Sequence, residues 1–260
     1  MIKNKKGILI IVVLLVIVYF VIDFVIKPSK GSEYNNTVFI GNSTKVTVDN
    51  GMINVYNKDV ALATQKVKIY FNNKFIDGYI FSGKGTSDGV ENAYGIYDED
   101  NNYINTDSAI IAHTKDITIK VKEIDTTRTD DINEILYFCN SNNIVLNEDT
   151  AIDYIEKSTF DLNNDNVKEY VYWFGLLRED NNYESYVYYS SNNENILIKK
   201  EDSKYAGASY TRLGLKGIID FNNDDKYEFV ISRILSEYGP DYYELYYYNG
   251  IGFTKIGAEE

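Results

Sequence analysis

The sequence predicts a mainly β protein, an antiparallel sandwich with hairpin repeats, carrying one N-terminal transmembrane helix and one short connecting helix. Three observations carry this. Short runs of β-branched and aromatic residues recur between turns from Thr37 onward. The chain holds 2 prolines against 25 tyrosines, a balance that favours strands and tight turns over disorder. An unbroken apolar run, Gly7 to Ile26, lies ahead of all of it.

That run reads GILIIVVLLVIVYFVIDFVI, 20 residues with one charge. At about 1.5 Å per residue it spans about 30 Å, the thickness of a bilayer's hydrocarbon core. Asp23 falls within the last turn, where headgroups and water solvate it. The run is longer than the apolar region of a cleaved signal peptide. It ends in Lys27-Pro28-Ser29-Lys30 without a small-residue cleavage pattern, so an uncleaved anchor is expected. Lys3, Lys5 and Lys6 favour a cytoplasmic N-terminus, although Lys27 and Lys30 pull the other way. Residues 1–6 then form a cytoplasmic N-terminus, 7–26 the membrane helix and 27–36 a polar tether. The rest of a single-pass protein lies outside the cytoplasm.

Residues 37–125 read as a first β domain: TVFI, KVTV, MINVY, KVKIYF, FIDGYIF and ITIKVK are separated by turn formers. Residues 126–150 read as a helical connector. Asp130 or Asp131 is placed to cap a helix in which Ile132, Ile135, Leu136 and Cys139 fall at helical spacing, and Asn142-Asn143 ends it. Residues 151–260 read as a second β domain, with a duplicated segment inside it. Phe160–Tyr172 is FDLNNDNVKEYVY and Ile219–Ile231 is IDFNNDDKYEFVI. Both have the form Asp-x-Asn-Asn-Asp-x-x-x-Glu, then an aromatic and a valine.

Oxygen-bearing side chains at alternate positions of a tight turn are the donors a hard cation takes. The candidate ligands in the first copy are Asp161, Asn163, Asp165, the backbone carbonyl of Val167, and Glu169. In the second they are Asp220, Asn222, Asp224, the carbonyl of Lys226, and Glu228. An EF-hand is a poor match, because the glutamate stands at position nine and strands flank the loop. The pattern resembles the calcium loops of FG-GAP/VCBS-type repeats, found in integrin-α-like β-propellers and many secreted bacterial proteins. The resemblance covers the last 110 residues or so, and implies bound calcium. The family's glycine is replaced by Asn166 and Asp225. Two repeats cannot close a propeller, so a compact two-sheet unit is expected.

Net charge is −13; five lysines against one aspartate in residues 1–30 leave about −17 on the remainder. Such a surface repels nucleic acid and anionic lipid, which excludes a nucleic-acid partner. Cys139 is the single cysteine, so no intrachain disulfide forms. A sortase-like transpeptidase would need Cys139 and His113 together. The segment LYFCNSN lacks that family's Thr-x-x-Thr-Cys motif, and Cys139 falls in the expected helix. A carboxylate-dependent hydrolase has acidic residues in plenty and no pair singled out. Aromatics crowd the C-terminal strands, from Tyr172, Trp173 and Phe174 to Tyr246, Tyr247 and Tyr248. Alternation along a strand should expose some of these rings unless both faces are covered; exposed rings would suit protein or carbohydrate contacts, while tyrosine that simply fits half-buried strands is the simpler reading. The expected function is therefore a membrane-anchored extracytoplasmic binding or scaffold protein with structural calcium loops. The alternative is a cell-wall-acting enzyme.

Overall fold

A computed structural model describes residues 37–41, 44–56, 65–82, 94–104, 111–113, 118–128, 132–192, 194–205, 210–235 and 239–257. The apolar run at 7–26, its flanks and the capping aspartates Asp130 and Asp131 lie outside them. Among the described residues, no helix is long and apolar enough to cross a membrane.

The chain is mainly antiparallel β, in three sheets, with one helix among the described residues. Strands β1 (Thr37–Ile40), β2 (Thr44–Asp49), β3 (Met52–Tyr56), β4 (Gln65–Phe71), β5 (Lys74–Ser82), β6 (Tyr94–Asp98), β7 (Tyr103–Ile104) and β8 (Ile111–His113) form the N-terminal sheet. Its order is β3-β2-β1-β8-β4-β5-β6-β7. After β9 (Lys120–Val121) and β10 (Asp125–Arg128) comes the helix α1 (Ile132–Ser141), so residues 126–128 of the expected connector are strand. An outer sheet joins β10 to β11 (Ala151–Phe160), β12 (Glu169–Leu177), β13 (Asn182–Ser191) and β14 (Glu194–Lys204) in that order. A central sheet is built from β15 (Thr211–Asp220), β16 (Glu228–Leu235), β17 (Gly239–Tyr248) and β18 (Phe253–Ile256), with β9 added beside β15.

The three sheets and the helix stack in layers. One core fills the space between outer and central sheets, with Val171, Trp173, Val187 and Tyr189 facing Leu213, Ile218, Phe229 and Ile231. A second lies between central and N-terminal sheets, where Ile219, Phe221, Val230, Tyr243 and Leu245 meet Val38, Ile40, Val46 and Tyr70. On the far face of the outer sheet, α1 packs Ile135, Phe138 and Cys139 on Tyr172, Phe174, Tyr186 and Tyr188. Phe39, Val67, Ile69, Ile80 and Ile96 form a fourth cluster on the other face of the N-terminal sheet.

This layering explains the aromatic runs. Consecutive strand residues face opposite sides, and both sides of the outer sheet are covered, so Tyr172, Trp173, Phe174, Tyr186, Tyr188 and Tyr189 are all buried. The sequence reading expected exposed rings only where a face was left uncovered, and here neither face is. It also placed Ile132 and Leu136 on the helix's packing face, but both are exposed and Phe138 takes the buried position. The helix does end at Asn142-Asn143. Asn143 adopts φ +57, and the N–H of Ile144 reaches the Cys139 carbonyl at 2.8 Å, a Schellman closure.

Asparagine takes most of the left-handed backbone positions. Asn50, Asn72, Asn73, Asn101, Asn181 and Asn192 all have φ near +50 to +60, which asparagine tolerates better than other side chains. At Gly41 the demand is stricter. Its φ is +56, and an added Cβ would stand 2.5 Å from the Tyr243 ring of the central sheet. Gly41→Ala should cost about 1–3 kcal/mol from overpacking alone, beyond the cost at Gly51, whose positive φ faces open space. Urea unfolding of the two variants measures the difference, which vanishes if the N-terminal sheet does not pack against Tyr243.

Candidate functional site

Both duplicated segments are hairpins. The first joins β11 to β12 and the second joins β15 to β16. Sequence alone reads them as equivalent, and the hydrogen bonds from their backbone N–H groups to their acids agree position by position. Asp161 accepts the N–H groups of Asp165 and Asn166 at 3.1 and 2.9 Å. Asp220 accepts those of Asp224 and Asp225 at 3.1 and 3.0 Å. Asp165 takes the N–H of Val167 at 2.7 Å and Asp224 that of Lys226 at 2.9 Å. Glu169 and Glu228 reach back to the N–H groups of Leu162 and Phe221, at 2.8 and 3.2 Å. The first and ninth residues therefore close each loop on its own backbone.

The backbone path is shared as well. Asn164 and Asn166 have φ +61 and +67, and Asn223 and Asp225 have +58 and +65. Asn166 and Asp225 stand where the FG-GAP/VCBS pattern carries glycine, and both adopt the left-handed conformation that glycine would supply. The missing glycine does not deform either loop.

The loops differ in burial. The difference lies in the first acid, since Asp220 is 0 % exposed and Asp161 half-buried, while Glu169 and Glu228 are equally buried at 4 %. Burial, helped by the neighbouring charges of Asp224 and Asp220, pushes the Glu228 carboxyl up to about 8. Glu169 is raised in the same direction, first by burial and then by Asp161 and Asp165. In the second loop Asn222 donates to the Gly51 carbonyl at 3.0 Å, and its Oδ1 is buried without a hydrogen-bond partner. That oxygen belongs to the third residue of the loop, the second of its candidate ligands. All candidate donors are oxygens, the set a hard cation takes. Among the described residues, no group of three or more His, Cys, Asp or Glu side chains gathers as a metal site. A cation here would therefore draw on the asparagine oxygens and the carbonyls of Val167 and Lys226 as well as the carboxylates.

Two lysines that sequence reading missed stand beside the loops. Strand β9 pairs Lys120 with Asp220 and Val121 with Ile219, and β10 pairs Asp125 with Thr159 of the outer sheet. Residues 120–125 thus cross from one sheet to the other at the end where both loops lie. Lys120 forms ion pairs with Asp225 and Asp220 in the second loop. Lys122 donates to Asn164 Oδ1 of the first at 2.7 Å. Burial lowers the Lys122 ammonium, against the attraction of Asp161 and Glu169. Only the alternation in Lys120-Val121-Lys122 hints at this, since it puts both ammonium groups on one side of the strand.

Comparison with protein-family models, with curated proteins and with solved structures gives no match.

The groups an enzyme reading would need stand as follows. Cys139 is buried on α1, and burial pushes its thiol up to about 11. His113 lies in the N-terminal sheet, with the outer and central sheets between it and α1, so the two do not form a pair. Glu201 and Glu244 share Lys199, and they are paired further with Arg233 and Lys255. Two grooves flank α1 on the outer sheet, and each is lined by one carboxylate, Glu134 or Glu184. Neither is lined by a residue of the loops.

A carboxyl raised on folding favours the protonated folded state, so the native protein holds a proton that the unfolded chain has lost. Stability is then greatest below the ordinary carboxylate range and falls as pH rises toward about 8. In chelator, the thermal midpoint should drop by about 5–10 °C between pH 5 and pH 8.5. Glu228→Gln keeps an acceptor for the Phe221 N–H and should flatten most of that fall. An unchanged slope in the variant would assign the pH dependence to other groups.

Proposed function

We propose that the chain is a membrane-anchored extracytoplasmic binding or scaffold protein whose two hairpin loops take calcium as a structural ion. The observation that carries the reading is the duplication itself. Two loops 59 residues apart share acidic spacing, backbone path and internal hydrogen bonds, and both lie beside one crossing segment. Ordinary hairpin turns have no need of three acids each. The buried, unpartnered Oδ1 of Asn222 adds a donor lacking a partner at the third position of the second loop.

In this reading Asp161, Asn163, Asp165, the Val167 carbonyl and Glu169 hold one ion. Asp220, Asn222, Asp224, the Lys226 carbonyl and Glu228 hold the other. Calcium supplies positive charge to carboxylates that burial and mutual repulsion otherwise disfavour. Asp161 and Asp220 keep the loops closed on their own N–H groups whether or not an ion is present. The anchor at 7–26 tethers the acidic β body outside the cytoplasm, where millimolar calcium suits sites of modest affinity. Full pairing of Glu201 and Glu244, with one carboxylate in each groove, favours binding over a two-carboxylate hydrolysis.

The test is thermal unfolding of the full chain in lipid nanodiscs, in EDTA and in 10 mM calcium. With Kd values of about 0.1–1 mM, two sites add about 3–5 kcal/mol at that concentration. The midpoint should rise by about 5 °C or more, and Asp161→Asn with Asp220→Asn should abolish the rise, with a lower midpoint in EDTA because each carboxylate accepts N–H groups on both oxygens. An equal midpoint in both solutions reduces the loops to ordinary turns. Release of the chain from membranes by alkaline carbonate would separately refute the anchor.

A further inference from the structure

The groove between the first turns of α1 and the outer sheet has a lining of unusual chemistry. Its ten lining residues are four tyrosines, three asparagines, two serines and one glutamate, with no aliphatic side chain. The cavity volume is about 460 Å³, within the range of small-molecule pockets. Tyr172 and Tyr188 stack at 5.1 Å, and Phe138 of α1 lies flat against Tyr188 on its other side. Tyr170 continues the row at 6.2 Å from Tyr172. Tyr137, 60 % exposed, stands on the helix side of the same groove. The rings therefore form a fixed aromatic row with one accessible ring opposite.

The polar groups complete the picture. Glu134 is the one carboxylate in the lining, and Lys157 neutralises it at 3.0 Å while lying over the Tyr170 and Tyr172 rings. The groove carries no net charge. Tyr188 is only 2 % exposed and forms the floor of the groove, while Tyr170 is half-buried at its side. The second groove has a different lining. There Arg178, Lys200 and Tyr186 are all engaged by Glu184, and Val145 and Leu197 make the wall partly aliphatic.

Resting on the binding-protein reading above, the geometry points to the α1–outer sheet groove as a site for a neutral oligosaccharide. A sugar ring presents a C–H face that stacks on an aromatic ring, and hydroxyls that pair with amides, phenols and a neutralised carboxylate. An anionic ligand finds no unpaired cation in the lining, and a peptide side chain finds no aliphatic pocket. Strand addition is unavailable, because the groove opens on a sheet face and not on an edge. Tyr137 and Tyr170 supply the stacking rings, and Asn133 and Asn195 flank them as hydrogen-bonding groups.

The test is isothermal titration of the full chain in nanodiscs, which avoids sugar-based detergents. The probes are chitotetraose, cellotetraose and maltotetraose, with a heparin-derived tetrasaccharide as the anionic counter-probe. At least one neutral probe should bind, and Tyr137→Ala, at an exposed position, should weaken it at least tenfold. Tyr170→Ala should do the same with the calcium-dependent midpoint unchanged. Absence of binding by all three neutral probes overturns the inference, as does binding that both variants leave intact or that the heparin fragment matches. Membrane retention and the calcium response are read on the same preparation. If these persist while the sugars fail to bind, the groove assignment fails and the tethered calcium-loop reading stands.

Discussion

Burial of the central sheet on both faces is the constraint on which the rest of the structure depends. Ile218 faces the outer sheet and Ile219 the N-terminal sheet; Phe229, Val230 and Ile231 alternate in the same way. A strand in this position has no solvent face, so its sequence loses the apolar-polar alternation of a surface strand. The acids at its ends inherit the burial. Asp220 closes β15 and Glu228 opens β16, and both are sealed because the strands they terminate are. The first loop terminates strands of the outer sheet, and its Asp161 is more open although Glu169 is as buried as Glu228. Two loops of one sequence pattern thus differ in electrostatics by virtue of the layer each belongs to.

Much of the fold was legible in the sequence. Strand-like runs bounded by asparagine and glycine marked the hairpins, and the helical spacing around Cys139 located α1. The sequence did not reveal which faces were covered. Tyr186 and Tyr188 point toward α1, while Val187 and Tyr189 point toward the central sheet, and local alternation cannot tell one covered face from two. The same limit misplaced Ile132 and Leu136. Their helical spacing is sound, but the turn containing Ile135, Phe138 and Cys139 is the one that meets the sheet.

The candidate loops were legible for a different reason: their closure is local. The backbone N–H groups that the first and ninth acids accept all belong to the loop, so spacing alone fixes its closure. The lysines beside them were not legible. Lys120 reaches Asp225, and Lys122 reaches Asn164, from far along the chain, by a strand pairing that leaves no local trace. Asn222 reaches Gly51 in the same non-local way. The asparagines at left-handed positions carry a further lesson. At Asn166 and Asp225 residues with side chains hold the same left-handed backbone, so loop shape is a matter of φ and not of residue identity.

The passage of residues 120–125 between two sheets has a consequence for the order in which the molecule is assembled. Strand β9 emerges long before β15, its one sheet partner among the described residues, and the outer-sheet strands β10 to β14 are made in the interval. A nascent chain must hold Lys120 and Val121 unpaired while β10 already has β11 to join. The central sheet then closes last, trapping the early segment along its edge. Long-range pairings of this kind are slow, since the loop entropy is lost before the contacts form. Folding of this body is thus a capture event, in which the C-terminal strands lock an early segment already committed to the neighbouring sheet.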